Sequence, residues 1–178
     1  VTDAGGLTGL STADNDTSDA AGNVTFSFNE STVGVSTVDL ALNESAAVNT
    51  SVNVTVEAAA VDNVTIDSFE ADPATAGDSL NITVNATDAF DNAAVNQTLQ
   101  NVTVDAETDG EVRDAGDVTL SNDTGNATIE VPAGNLTTTG VQNITVDADD
   151  VSNDTQQLTV DPAQVTELSV ADTSAPVD

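Results

Sequence analysis

Along most of the chain apolar and polar residues alternate one for one. In Leu80-Asn81-Ile82-Thr83-Val84-Asn85-Ala86 every second side chain is apolar, so an extended backbone would turn one face to a core and the other to solvent. The same period marks residues 24–28, 35–42, 52–56, 64–69, 99–104, 118–120, 127–131, 141–146, 157–160 and 165–170. Gly, Asp, Asn and Pro punctuate the intervals, and no window of about a dozen residues keeps a helical apolar stripe. The pattern predicts an all-β chain of short strands, spaced as in a sandwich or barrel.

The chain also repeats itself. Gly22-Asn23-Val24-Thr25-Phe26 matches Gly125-Asn126-Ala127-Thr128-Ile129, and Thr32-Val33-Gly34-Val35 matches Thr138-Thr139-Gly140-Val141. Val64-Thr65-Ile66-Asp67-Ser68, followed by Asp72-Pro73, resembles Val165-Thr166-Glu167-Leu168-Ser169, followed by Asp172 and Pro176. These offsets all lie near roughly a hundred residues. One complete unit is therefore expected over 61–161. Residues 1–60 read as the C-terminal half of a preceding unit, and 162–178 as the first strand of a following one or a strand donated to a neighbouring subunit.

A family resemblance rests on the middle of the chain. Asp72-Pro-Ala-Thr-Ala-Gly-Asp78, the strand from Leu80 to Ala86, and Thr87-Asp88-Ala-Phe-Asp-Asn-Ala-Ala-Val-Asn-Gln-Thr98 together resemble the opening of bacterial Ig-like domains of the invasin and intimin kind. Gly125-Asn126-Ala-Thr-Ile-Glu-Val131 and Gly140-Val-Gln-Asn-Ile-Thr-Val146 are similar to that family's final strands. Asp91-Asn92 stands where the family usually carries Gly-Asn, which leaves the turn type open. The resemblance implies Ig-like, Greek-key β-sandwiches, in tandem or completed by strand exchange, and a role at the cell surface. It carries no catalytic residues.

Composition changes the picture in two ways. Of 178 residues, 31 are acidic and one, Arg113, is basic, for a formal charge of −30, while 38% are hydrophobic. Disorder would depress the apolar fraction too. With four Phe and no Trp, Tyr, Met or Cys, the core must be built from Val, Ala, Leu and Ile, which suits strands. So many unbalanced carboxylates repel one another at ordinary ionic strength. At molar salt the Debye length falls to about 3 Å, and a halophilic, archaeal source is the expectation. The sign of the charge speaks against nucleic acid and against an anionic membrane surface. There is no signal peptide and no apolar run near bilayer length, so no membrane insertion is expected within this segment, and any leader or anchor would lie outside it. Without cysteine, redox compartment is unreadable.

The second change concerns asparagine. Every asparagine except Asn92 begins an Asn-x-Ser/Thr sequon: Asn15, Asn23, Asn29, Asn43, Asn49, Asn53, Asn63, Asn81, Asn85, Asn96, Asn101, Asn122, Asn126, Asn135, Asn143 and Asn153. Chance would supply about four. Strand alternation alone places polar residues two apart and accounts for the threonines, but asparagine is depleted in strands. Dense N-glycosylation is therefore expected. Asn81 and Asn85 would project from one sheet face, about 13 Å apart at roughly 3.3 Å per residue.

Three acidic groups are candidates for calcium: Asp88, Asp91 and Asn92; Asp147, Asp149, Asp150 and Asp154; Asp14, Asp16 and Asp19. None has EF-hand spacing, and solvated surface or turn chemistry accounts for them, so no metal ligand is assigned and no cofactor is expected beyond N-linked glycans. Without His, Cys, Lys or Tyr the usual nucleophiles and bases are missing. A two-carboxylate glycosidase would need sugar-binding aromatics or a cleft, and aromatic content is 2%. The chain is read as no enzyme. It is read as a structural component of an extracellular filament or surface fibre, assembling head-to-tail through β-strand contacts with copies of itself or neighbouring Ig-like units. The alternative is an Ig-like stalk, adhesin or surface-layer segment.

Overall fold

The computed structural model describes residues 2–3, 18–25, 30–42 and 45–166, of which 2–3, 40–42 and 45–49 are described by their backbone alone. Among the described residues every regular element is a strand. The strands are β1 (Thr2–Asp3), β2 (Gly34–Leu42), β3 (Ser45–Val56), β4 (Val61–Phe69), β5 (Ala74–Thr75), β6 (Leu80–Asp88), β7 (Thr98–Ala106), β8 (Gly110–Thr119), β9 (Asn126–Val131), β10 (Gly140–Asp147) and β11 (Asp154–Asp161).

β4–β6–β9 form one antiparallel sheet, and β5–β11–β10–β7–β8 form a second, in which only β5 and β11 run parallel. The chain changes sheet after β4, β5, β6, β8 and β9. That is the crossing pattern of a Greek-key, Ig-like sandwich. The alternation read along β6 is realised: Leu80, Ile82, Val84 and Ala86 are buried, while Asn81, Thr83, Asn85 and Thr87 face outward. Opposite them Leu99, Val102, Val104, Ile144, Val146, Leu158 and Val160 close a core that lies wholly between Val64 and Val160. At roughly 1.5–3 kcal/mol per large apolar side chain removed from water, this layer supplies the main favourable term. A separate sheet, β1–β2–β3, precedes the sandwich.

Side chains fasten the two sandwich sheets along the outer edge of β4, beside its register shift between Ile66 and Ser68. The Ile66 N–H donates to Asp154 Oδ2 at 2.8 Å, and Gln156 Nε2 donates to the Ile66 carbonyl. An Asp and a Gln on β11 thus pair with one residue of β4 as a neighbouring strand would. At one end of the sandwich the buried Gln142 accepts from Thr108 Oγ1 at 2.6 Å and donates to the Thr138 carbonyl.

Several strand expectations need correction. The 118–120 run is the tail of a strand that begins at Gly110, and Leu120 lies just beyond it. Glu111, Arg113, Asp114 and Asp117 hide its period, because β8 is an edge strand, broken by register shifts against β7, where charge is tolerated and guards against edge pairing. Val24 and Thr25 are not in a strand, and 26–28 lie outside the described residues. Val165 and Thr166 are not in a strand either, and 167–170 lie outside the description. β5 is too short to leave a periodic signal.

Candidate functional site: the sequon surfaces and the joint at Asn92

The strand pleat sorts the sequon asparagines onto outer faces. On the β4–β6–β9 sheet, Asn63, Asn81, Asn85 and Asn126 are all half-buried on the solvent side, and Asn85 stands directly opposite Asn126. Cross-strand neighbours of this kind lie about 5 Å apart at Cβ. On the larger sheet Asn143 sits on the outer face of β10, and a bulge in β7 turns Asn101, at φ 49°, fully outward. Asn53 is exposed on β3, the exposed Asn96, Asn122 and Asn135 occupy turns, and the exposed Asn23 and Asn153 lie in irregular segments between strands. Asn15, Asn29 and Asn43 lie outside the described residues, as does the side chain of Asn49.

Where these amides are bonded, one bond is made. Asn143 Nδ2 donates to Glu107 at 2.9 Å, Asn135 Nδ2 to the Val112 carbonyl at 2.7 Å, Asn85 Nδ2 to Asp67 at 3.2 Å, Asn23 Nδ2 to Asp19 at 3.4 Å, and Asn101 Nδ2 to Asp149. A primary amide carries two N–H groups, so one remains for a glycosidic bond at each.

Asn92 differs in both sequence and setting. Its Nδ2 donates to the Ser31 carbonyl at 2.7 Å and to both oxygens of Asp88 at 3.1 and 3.0 Å. Its Oδ1 accepts the Val33 N–H at 3.2 Å. Both amide hydrogens are therefore committed. The hydroxyl that would complete a sequon is replaced by Ala94, which is fully buried.

Two more side chains from the same stretch complete this joint. Gln97 Nε2 donates to the Ala59 carbonyl at 2.7 Å, and Gln97 Oε1 accepts the Val61 N–H at 3.2 Å. Asp88, buried at the end of β6, accepts the Ala59 N–H at 2.9 Å together with the N–H groups of Phe90 and Asn92 at 2.9 and 3.0 Å. The two carboxamides each pair with a backbone segment as a peptide group would, one with the lead into β2 and the other with the exit from β3. Burial works against ionisation of Asp88, but the Asn92 side chain and the N–H groups of Ala59, Asn92 and Phe90 outweigh it and hold its pKa at about 2.

The turn left open in the sequence is settled by Asp91, at φ 64°. It adopts the left-handed conformation that glycine takes most easily and that aspartate tolerates better than most residues. Gly125, at φ 66°, is needed for a second reason: a Cβ there would lie 2.8 Å from the Ala94 nitrogen.

The acidic groups resolve into turn and clasp chemistry. Asp88 serves the joint, Asp149 meets Asn101, Asp154 meets Ile66, and Asp19 accepts from the N–H groups of Ala21 and Asn23. Asp14 and Asp16 lie outside the described residues. Among the described residues no three acidic side chains converge as a metal site. The importance of Gln97 was not readable in advance. The signal available for its neighbour was that Asn92 alone lacks a hydroxyl residue two places on.

No family model matches the chain, and no curated protein matches it. Among solved structures it is similar to domains 4 and 5 of the S-layer protein SbsC, with 16% identity, a TM-score of 0.36, and coverage of 72% of this chain and 65% of that one. The adhesin InvE of Yersinia pseudotuberculosis shows 19% identity and a TM-score of 0.36, over 89% of this chain and 47% of that one. A glycosyl hydrolase family 2 member from Bacteroides cellulosilyticus shows 13% identity and a TM-score of 0.40, over 73% of this chain and 18% of that one. The chain thus spans less than two thirds of each of these proteins, and likenesses this distant carry no inference about its activity.

Proposed function

We propose that this chain is a structural, N-glycosylated segment of an extracellular filament or cell-surface fibre of a halophilic microbe, built from Ig-like units that join head-to-tail. The observation that carries the reading is the contrast among the asparagines. Every sequon asparagine whose side chain is described is exposed or half-buried, and the one asparagine without a sequon is the one whose amide is consumed by a joint. Sugars on both outer faces would hydrate a sheet surface and block edge-to-edge pairing and proteolysis. Strand contacts between units have a site to act on, since β3 pairs only with β2 among the described residues. The exposed Phe90, at 60%, is the observation that favours the second reading, a stalk, adhesin or surface-layer segment with a recognition loop.

Intact mass before and after chemical deglycosylation, with peptide mapping and electron microscopy of the purified material, tests the proposal. Sugar on the exposed sequons, none on Asn92, and filaments forming without added ligand are the expected results. Unmodified asparagines would remove the glycoprotein reading, and dispersed particles would remove the filament in favour of the stalk.

A further inference from the structure

The joint at Asn92 grips two segments, and both recur at the far end of the sandwich. Ser31-Thr32-Val33 leads into Gly34, which starts β2 at φ 153° opposite Val56 of β3. Thr137-Thr138-Thr139 leads into Gly140, which starts β10 at φ 113° opposite Val160 of β11. The resemblance extends to the backbone. The N–H groups of Ser31 and Thr32 both donate to Glu30 Oε1, at 2.9 and 2.8 Å, and those of Thr137 and Thr138 both donate to Asp109 Oδ2, at 2.9 and 3.0 Å. On the exit side the spacing also agrees: Ala59 and Val61 follow Val56 as Ala163 and Val165 follow Val160.

The two ends differ in what they meet. The Ser31 carbonyl, the Val33 N–H, both backbone groups of Ala59 and the Val61 N–H are held by Asn92, Asp88 and Gln97. Their counterparts are the Thr137 carbonyl, the Thr139 N–H, both groups of Ala163 and the Val165 N–H, and none of these has a partner among the described residues. Val61 packs against the core, whereas Val165 is 84% exposed. Asp109 also fixes the Thr137 and Thr138 hydroxyls, at 3.2 and 2.6 Å, so the segment is held in shape before anything binds it.

We infer that Thr137, Thr139, Ala163 and Val165 form a docking surface for another Ig-like unit, whose loop presents a carboxylate and two carboxamides in the arrangement of Asp88, Asn92 and Gln97. The inference deepens the head-to-tail reading above and rests on it for its biological setting. It names the contact as a side-chain grip on backbone groups, distinct from strand exchange. Repetition of one such joint would hold successive units in a constant relation and make a stiff rod.

The test lengthens the chain so that residues 62–161 follow Val165 a second time, with Val165 standing where Val61 stands. Amide exchange is then read residue by residue in molar salt. Val33 and Val61 are expected to exchange slowly in every version. Thr139 and Val165 are expected to exchange freely in the original chain and about tenfold more slowly in the lengthened one, the scale that one net hydrogen bond supplies. Asn92→Ala with Gln97→Ala in the added copy alone should restore free exchange. Free exchange at Thr139 and Val165 beside a folded added unit would overturn the inference, as would slowing that survives the double substitution.

If circular dichroism shows the added unit unfolded, labelled full chain is mixed with a millimolar excess of full chain carrying Val33→Pro and Ala59→Pro. Those changes remove the N–H groups that Asn92 and Asp88 accept and free the loop. Slowing at Thr139 and Val165 then supports the inference, and its absence overturns it. The surface-fibre reading fails separately: unglycosylated, non-filamentous material with slow exchange at both positions would leave the joint standing without it.

Discussion

The hairpin β2–β3 and the hairpin β10–β11 begin alike and end in different surroundings. Both open on a glycine with positive φ that faces a valine at the far end of the partner strand. Both place alternate side chains on one face, Gly34, Ser36 and Val38 with Val52, Val54 and Val56 in the first, Gly140, Gln142 and Ile144 with Gln156, Leu158 and Val160 in the second. In the second that face is sealed by β4–β6–β9, and Leu158 is fully buried. In the first Val38 is buried, but Val52 opposite it is 51% exposed and Val54 and Val56 are half-buried, so among the described residues that face is covered only in part. The difference shows that alternation specifies a hairpin and the identity of its apolar face, while burial needs an opposing layer that local pattern cannot supply.

Substitution at matched positions gives the largest test of this contrast. Leu158→Ala should destabilise the sandwich by about 3 kcal/mol, through lost transfer energy and a cavity, whereas Val54→Ala at the equivalent site should cost under about 1 kcal/mol. Urea unfolding in molar salt measures both. Equal costs would mean that the first hairpin's face is covered after all.

The paired glycines come next. Gly125→Ala should cost about 3 kcal/mol, since its Cβ would overlap the Ala94 nitrogen in addition to meeting an unfavourable φ. Gly22→Ala shares the positive φ but meets nothing within 4 Å, so about 1 kcal/mol is expected. Thermal unfolding reports the first and local amide exchange the second.

The joint and the far end can be compared by pH. Asp88 is held at about 2, against an ordinary 3.8, and Asp109 is held lower still, chiefly by the Thr138 hydroxyl acting against burial and helped by the Thr138 and Thr137 N–H groups and Gln142. Both carboxylates therefore favour the folded state fully above about pH 4. The Asp88 contribution drains as pH falls through about 2, and that of Asp109 drains below it. Asp88→Asn should flatten the acid limb of the stability curve between those limits and speed exchange at Ala59. An unchanged acid limb would show that the joint does not depend on the charge.

The smallest effect is expected at Asp91. Glycine would relieve its positive φ while adding freedom to the unfolded chain, and the two nearly cancel. Asp91→Gly should shift stability by less than about 1 kcal/mol, as measured by the same unfolding curves. A larger loss would mean that the Asp91 carboxylate holds something besides its turn.

Some of this was legible and some was hidden, for identifiable reasons. β6 announced itself because it is central and its two faces meet opposite environments, so each residue carries the period. β8 did not, because an edge strand has a free side where Glu111, Arg113 and Asp114 are tolerated. The sequon asparagines were plain, and so was the oddity of Asn92. The role of Asn92 was not, because the groups it joins lie near residues 31–33 and 88.

Sequence by itself determined the strand period, the apolar face of each strand, the turn positions that require glycine, the acidic surface and the sequon density, all of which follow from residues within a few places of one another. Tertiary structure alone decided which faces are covered, which carboxylates are held ionised, and which carboxamide becomes a joint. Burial and hydrogen bonding between distant segments depend on where the chain returns, and no local pattern of side chains encodes that.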